Sequence, residues 1–127
     1  MLWHFRNDQP IYSQIIERIS LAVVSGEYPP GSKLPSVRDL ASEAGVNPNT
    51  MQRALAELET DGMIYAVRTA GRYVTEDAKK ISAVREKLAG ASISDFTEAM
   101  KKLGFTGEEI ISAIREKMKG ENANGDN

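Results

Sequence analysis

NPNTMQRALAELETD, residues 47–61, is the stretch on which the reading of this chain turns. Asn47 is a favoured helix N-cap, and Pro48 suits the first helical position, where its missing N–H costs nothing. Met51, Ala54, Leu55 and Leu58 then recur at the spacing of one buried helix face. The opposite stripe, Asn49, Gln52, Arg53 and Ala56, falls at i, i+3, i+4 and i+7 and carries no acid. Amide side chains bond adenine edges bidentately, arginine does so with guanine, and a small apolar group lies against a thymine methyl. In isolation the stripe reads more simply as a solvated helix face. Its flanks reverse that preference.

Upstream, Pro10 opens a helix with Ile11, Ile15, Ile19 and Val23 on its apolar side, ending at Gly26. The connector GEYPPGSKLP, residues 26–35, holds three prolines and cannot be helical, and Lys33 and Leu34 fit a two-residue strand. Ser36 begins a second short helix, SVRDLASEA, in which Asp39 stands where the acidic partner of an N-terminal cap belongs. Val37, Leu40, Ala41 and Ala44 form its inner face, and Gly45-Val46 turns the chain into Asn47. Two short amphipathic helices joined through a glycine turn make a helix-turn-helix pattern. Downstream, Gly62 stops the third helix and Met63-Ile64 return to the core. Residues 65–68 and 72–74 then read as two short strands around Thr69-Ala70-Gly71. That order is a winged helix, with Arg68 and Arg72 placed to follow a phosphate backbone or enter a minor groove.

From Thr75 the pattern changes. Thr75 can cap a helix with Glu76 and Asp77 in its first turn and Ile81, Val84 and Leu88 on its apolar side, stopped at Gly90. A second helix over Ser92–Leu103 turns Ile93, Phe96, Ala99, Met100 and Leu103 inward. Thr106 with Glu109 forms a capping box for a third, bearing Ile110, Ile111, Ile114 and Met118. Three short helices without a sheet make a thin layer whose apolar faces need cover. A second copy of the chain is the economical cover, and packing back onto the winged helix is the alternative. The expected organisation is a winged helix-turn-helix domain at 1–75, a helical dimerisation region at 76–120 and a frayed tail at 121–127. The fold class is mainly α with a small β-hairpin.

Composition sets the outer bounds. At 127 residues the chain suits one small domain with an appendage. No run of about 18 apolar residues occurs, and MLWHFRNDQP lacks the build of a signal peptide, so a soluble cytoplasmic protein without membrane partners is expected. Zero cysteines exclude disulfides and thiolate metal sites, and one histidine builds no metal centre unaided. No cofactor is expected. Through Thr75 there are seven Lys/Arg against eight Asp/Glu, and from Glu76 nine against ten. Any DNA contact must therefore come from locally placed cations, with modest nonspecific affinity. An enzyme is disfavoured: there is no cysteine nucleophile, no second histidine, no phosphate-binding glycine loop after a strand and no apolar-set carboxylate pair.

The stretch QPIYSQIIERISLAVVSGEYPPGSKLPSVRDLASEAGVNPNTMQRALAELETDGMIY closely resembles the amino-terminal winged helix of GntR-family bacterial transcription regulators. The matching features are PIYxQI, GxYPPGSKLPSxRxLA, VNxNTxxRAxxxLExxG and the closing GRYV, spanning roughly residues 8–75. The short tail with FTEAMKKLGFTGEEII resembles the YtrA-like subgroup, in which a small helical dimerisation unit replaces a large effector domain. The resemblance implies a homodimeric repressor on a palindromic double-stranded DNA operator, with room for a small-molecule effector that no residue here identifies. It also implies that Arg38, Asn47, Asn49, Thr50 and Arg53 lie at the DNA, and that Gly71 matches the second glycine of the family's wing tip. Thr69 stands where the first glycine is usual, and Ala70 where a basic residue often sits.

Each residue also has a plainer role. Ser36 can donate to a phosphate or cap its own helix. Arg38 can touch DNA or pair with Asp39 or Glu43, and the motif around it favours DNA. Arg53 has Glu57 four residues on, a pair worth only tenths of a kcal/mol. Gln52 is balanced between base readout and passive exposure, and Asn47 reads first as a cap. Trp3 and Phe5 are expected against the C-terminal helices or a dimer partner. Tyr12 and Tyr65 are expected in the core with their hydroxyls at its edge. A winged helix used as a protein-interaction module is the alternative function, and salt dependence separates it from DNA binding.

Overall fold

The computed structural model describes residues 1–124, with side chains through residue 122. In chain order it contains α1 (Ile11–Val24), α2 (Val37–Ala44), α3 (Pro48–Thr60), β1 (Ile64–Val67), β2 (Gly71–Val74), α4 (Ala78–Lys102) and α5 (Gly107–Asn124). The chain divides into two compact units, residues 1–87 and residue 88 onward. None of the described helices is long and apolar enough to cross a membrane.

In the first unit, local chemistry sets the helix ends. The Ser36 Oγ accepts the Asp39 N–H at 3.1 Å and starts α2. Gly45, at φ +72°, ends α2 in the left-handed region and lets the chain turn directly into α3. The Asn47 Oδ1 accepts the Asn49 N–H at 2.7 Å, and Pro48 occupies the first position of α3. Met51, Ala54, Leu55 and Leu58 are all buried, on the face that their spacing predicts. They meet Ile15, Ile19 and Val23 of α1, Leu40 and Ala41 of α2, and Leu34, Met63, Ile64 and Val74 around the hairpin. Each large member of that core contributes on the order of 1.5–3 kcal/mol through burial.

The hairpin pairs Ile64 with Val74, Tyr65 with Tyr73, Ala66 with Arg72 and Val67 with Gly71. Lys33 forms a bridge to Tyr73, and the Leu34 N–H donates to the Arg72 carbonyl. The expected two-residue strand is thus a single bridge on the outer side of β2. It ties the connector to the wing.

Several expectations are corrected. Gly90 does not end a helix: α4 runs unbroken from Ala78 to Lys102, so two helices stand where three were expected. Gly90 is flanked by Ala89 and Ala91, and a lone glycine costs a helix interior only about 1 kcal/mol, which strong neighbours offset. The cap of α4 is Asp77, whose Oδ1 accepts the N–H groups of Lys79 and Lys80, while Thr75 Oγ1 receives the N–H of Asp77. Trp3 and Phe5 stack 5.8 Å apart and pack against the winged-helix core itself. The buried Gln14 holds that segment, exchanging hydrogen bonds with the backbone of Arg6 at 2.8 Å and donating to the Gln9 carbonyl. Tyr65 is exposed and stacks on Tyr73 rather than entering the core.

In the second unit the expected capping box forms. Thr106 N–H donates to Glu109 at 2.8 Å, and Glu109 N–H returns to Thr106 Oγ1. Ile110 is buried as its spacing predicts, whereas Ile93, Phe96, Leu103, Ile111, Ile114 and Met118, placed inward by the same reasoning, are exposed. Helix α5 continues past Gly120 to Asn124. The rest of the expected tail lies outside the described residues.

Candidate nucleic-acid interface

The inner face of helix α3 is fully occupied by the core, which leaves the opposite stripe in solvent. Asn49, Gln52, Arg53 and Ala56 are all exposed, and Thr50 is half-buried at the helix start. The Asn47 carboxamide oxygen is engaged as the cap, so only its NH2 is left to donate. Ser36 caps α2. Its oxygen accepts the capping N–H, which leaves the hydroxyl proton available for a phosphate.

The cations divide into two kinds. Arg38 is exposed on α2, and among the described residues no carboxylate lies within 4 Å of its guanidinium. Glu43, its candidate partner, instead accepts the Trp3 indole N–H at 3.3 Å. Arg53 likewise has no ion pair with Glu57; its guanidinium sits over the Tyr12 ring, 3.8 Å from the centroid. Arg68 is exposed at the hairpin tip without an ion-pair partner among the described residues. Arg72 differs. Its Nε donates to Glu59 Oε2 at 2.8 Å, in a pair that is less than a third exposed on either side. It braces the wing against α3 rather than offering a free charge.

Two residues escaped the sequence reading. Lys33 is exposed at the mouth of a cleft of about 600 Å³ formed with Pro35, Ser36, Asp39, Gly71 and Arg72. Its ammonium lies 3.8 Å from where a side chain on Gly71 would begin. The strand pattern at Lys33-Leu34 was the available signal, since it sets Lys33 beside the wing. Tyr12, expected as a core residue, is half-buried and presents its ring to Arg53.

The tip has a strained backbone. The Ala70 N–H donates to the Val67 carbonyl at 2.9 Å, so Arg68 and Thr69 are the central residues of a tight turn. Thr69 has φ +69° and Gly71 φ +114°. Arg68 is thereby held on a short, stiff loop, with Thr69 exposed beside it.

Residues 11–74 match the family profile described as bacterial regulatory proteins, gntR family. The HTH-type transcriptional repressor YtrA of Bacillus subtilis is 42% identical over 89 residues, covering 65% of this chain and 68% of that protein. A GntR family transcriptional regulator from Listeria monocytogenes superposes with a TM-score of 0.79 at 43% identity, over 88% of this chain and 98% of that one. The DNA-binding domain of AraR, solved in complex with operator ORX1, matches with a TM-score of 0.55 at 28% identity, over 59% of this chain and 96% of that one.

Proposed function

The chain belongs to the gntR family of bacterial regulatory proteins, with YtrA among its relatives, and from that membership we propose that it is a homodimeric repressor of a two-fold operator. The observation that carries this reading is the acid-free stripe of Asn49, Gln52 and Arg53, together with an exposed Arg38 and Arg68 that have no carboxylate partner among the described residues. Helix α3 enters the major groove, where amides and a guanidinium meet base edges. Arg38, Ser36 and Lys33 meet phosphates and fix register, and Arg68 with Thr69 and Gly71 follows the backbone at the wing. Arg72 supports the wing from behind through Glu59.

Dimerisation is supported by the second unit. Phe96 of α4 and Ala113, Ile114, Lys117 and Met118 of α5 line an apolar hollow of about 260 Å³. Ile93, Leu103 and Ile111 extend the uncovered apolar surface. Contiguous apolar surface of this kind on a small unit marks an interaction face, and an isologous contact between two copies covers it on both. Two α3 helices then address half-sites about 34–36 Å apart. Repression follows from occupying the promoter and needs no chemistry.

The test is unbiased selection of duplexes bound by the full chain, followed by salt titration on the recovered sequence. Enrichment of an inverted repeat, with affinity falling steeply as salt rises, is the expected result. Recovery of no enriched sequence, or salt-insensitive binding, overturns it in favour of a protein-interaction module.

A further inference from the structure

The contact between Arg53 and Tyr12 is not accounted for by either residue's own helix. Tyr12 lies in the first turn of α1, and its ring packs against the shared core. Arg53 projects from the exposed face of α3, and its guanidinium carbon settles 3.8 Å above that ring. Glu57 is one turn away on the same helix, where an arginine on an isolated helix would pair with it. It does not do so. The aromatic face competes successfully because it attracts the cation and matches the flat guanidinium over its whole area, leaving the N–H edges outward.

We propose that Tyr12 is a positioning residue for DNA recognition: its ring holds the Arg53 guanidinium away from Glu57 and edge-on to the duplex. This rests on the assignment of Arg53 to the DNA face. A free arginine on a helix surface must be ordered on binding, and a stacked one has already lost that freedom. The stack blocks only the guanidinium face, so all five N–H donors remain available along its rim. Removing the ring returns Arg53 to a set of rotamers that includes the Glu57 pair.

The experiment measures affinity of the full chain for the duplex that the wild-type protein selects from random DNA. It uses Tyr12→Leu, Tyr12→Phe, Arg53→Gln and the double variant Tyr12→Leu/Arg53→Gln, with thermal melts to establish folding. Leucine keeps apolar bulk at the core edge, and phenylalanine keeps the ring. The expected result is a loss of about 3- to 10-fold for Tyr12→Leu, as a partly exposed cation–π contact implies, near-wild-type affinity for Tyr12→Phe, and no further loss for the double variant beyond Arg53→Gln alone. Equal losses from Tyr12→Leu with and without Arg53 would mean a purely structural role and overturn the proposal. So would a Tyr12→Phe variant as weak as Tyr12→Leu. If Arg53→Gln itself binds like wild type, the assignment of Arg53 to the DNA face fails first, and the role of Tyr12 with it.

Discussion

Two neighbouring wing residues should respond to substitution in opposite senses. Thr69 is the second central residue of the turn closed by the Val67 carbonyl and the Ala70 N–H, and its φ is +69°. A turn with positive φ at that position alone is of type II, which calls for glycine or asparagine there. A β-branched residue in the left-handed region carries about 1–2 kcal/mol of strain. Thr69→Gly removes that strain, while the greater freedom of glycine in the unfolded chain takes back about 0.5–1 kcal/mol. The expected net gain is about 0.5–1 kcal/mol, a rise in Tm of roughly 2–4 °C for a chain of this size. Thr69→Asn should give a similar rise, because asparagine tolerates the left-handed region.

Gly71 sets the contrast. At φ +114° it lies where no side chain is comfortable, and an added Cβ would meet the Lys33 Cε at 3.0 Å. The lysine can swing away, so the backbone term dominates, at about 1–3 kcal/mol. Gly71→Ala should therefore lower Tm by several degrees. Paired thermal melts followed by circular dichroism decide the matter. If Thr69→Gly melts at or below wild type, or if both variants move the same way, the strain assigned to the tip is not there.

Four further outcomes are expected. Glu59→Gln, which strips the charge from the partner of Arg72, should cost about 1 kcal/mol in urea denaturation, since the 2.8 Å contact is charge-assisted yet partly exposed; Arg68→Gln, on an unpaired cation, should leave stability alone and instead flatten the salt slope of DNA binding by about one unit. Phe96→Asp with Ile114→Asp should weaken the proposed self-association at least about a hundredfold in sedimentation equilibrium, because charge would enter the proposed apolar contact on both copies, and an unchanged association state would remove this face from the proposed dimer. Gln14→Leu should cost about 1–3 kcal/mol, as it leaves the Arg6 and Gln9 backbone groups without partners. Trp3, the one tryptophan of the chain, should report it as a red-shifted fluorescence at lower denaturant.

The parts of the fold legible in the sequence are those whose signals are local and agree with one another. At α3 the cap at Asn47, the proline at position 48 and the spacing of Met51, Ala54, Leu55 and Leu58 all specify the same helix. The capping box at Thr106 and Glu109 is of the same kind. Gly90 was misleading because glycine punctuates only when its neighbours also favour a stop, and alanines on both sides do not. The resting place of Trp3 was beyond local reading, since it depends on a glutamate 40 residues away and on a buried glutamine.

Electrostatic roles were the least legible, and for one reason. Arg38, Arg53, Arg68 and Arg72 are chemically identical in the sequence, and their capacity to meet DNA depends on what each already touches. Glu43 sits with the Trp3 indole N–H and the Met1 ammonium instead of Arg38. Glu59 binds Arg72 because the hairpin register opposes Arg72 to Ala66, on the side of the wing facing α3. Arg53 escapes Glu57 because α1 supplies an aromatic face within reach. In each case the deciding partner comes from another element, at a separation that no helical spacing reveals. With a chain near electrical neutrality, affinity for a polyanion must come from those cations that folding leaves unpaired. The near balance of charges does not therefore argue against nucleic-acid binding: Asn49, Gln52, Arg53 and Ala56 on α3 include no acid, and among the described residues Arg38, Arg53 and Arg68 have no carboxylate partner.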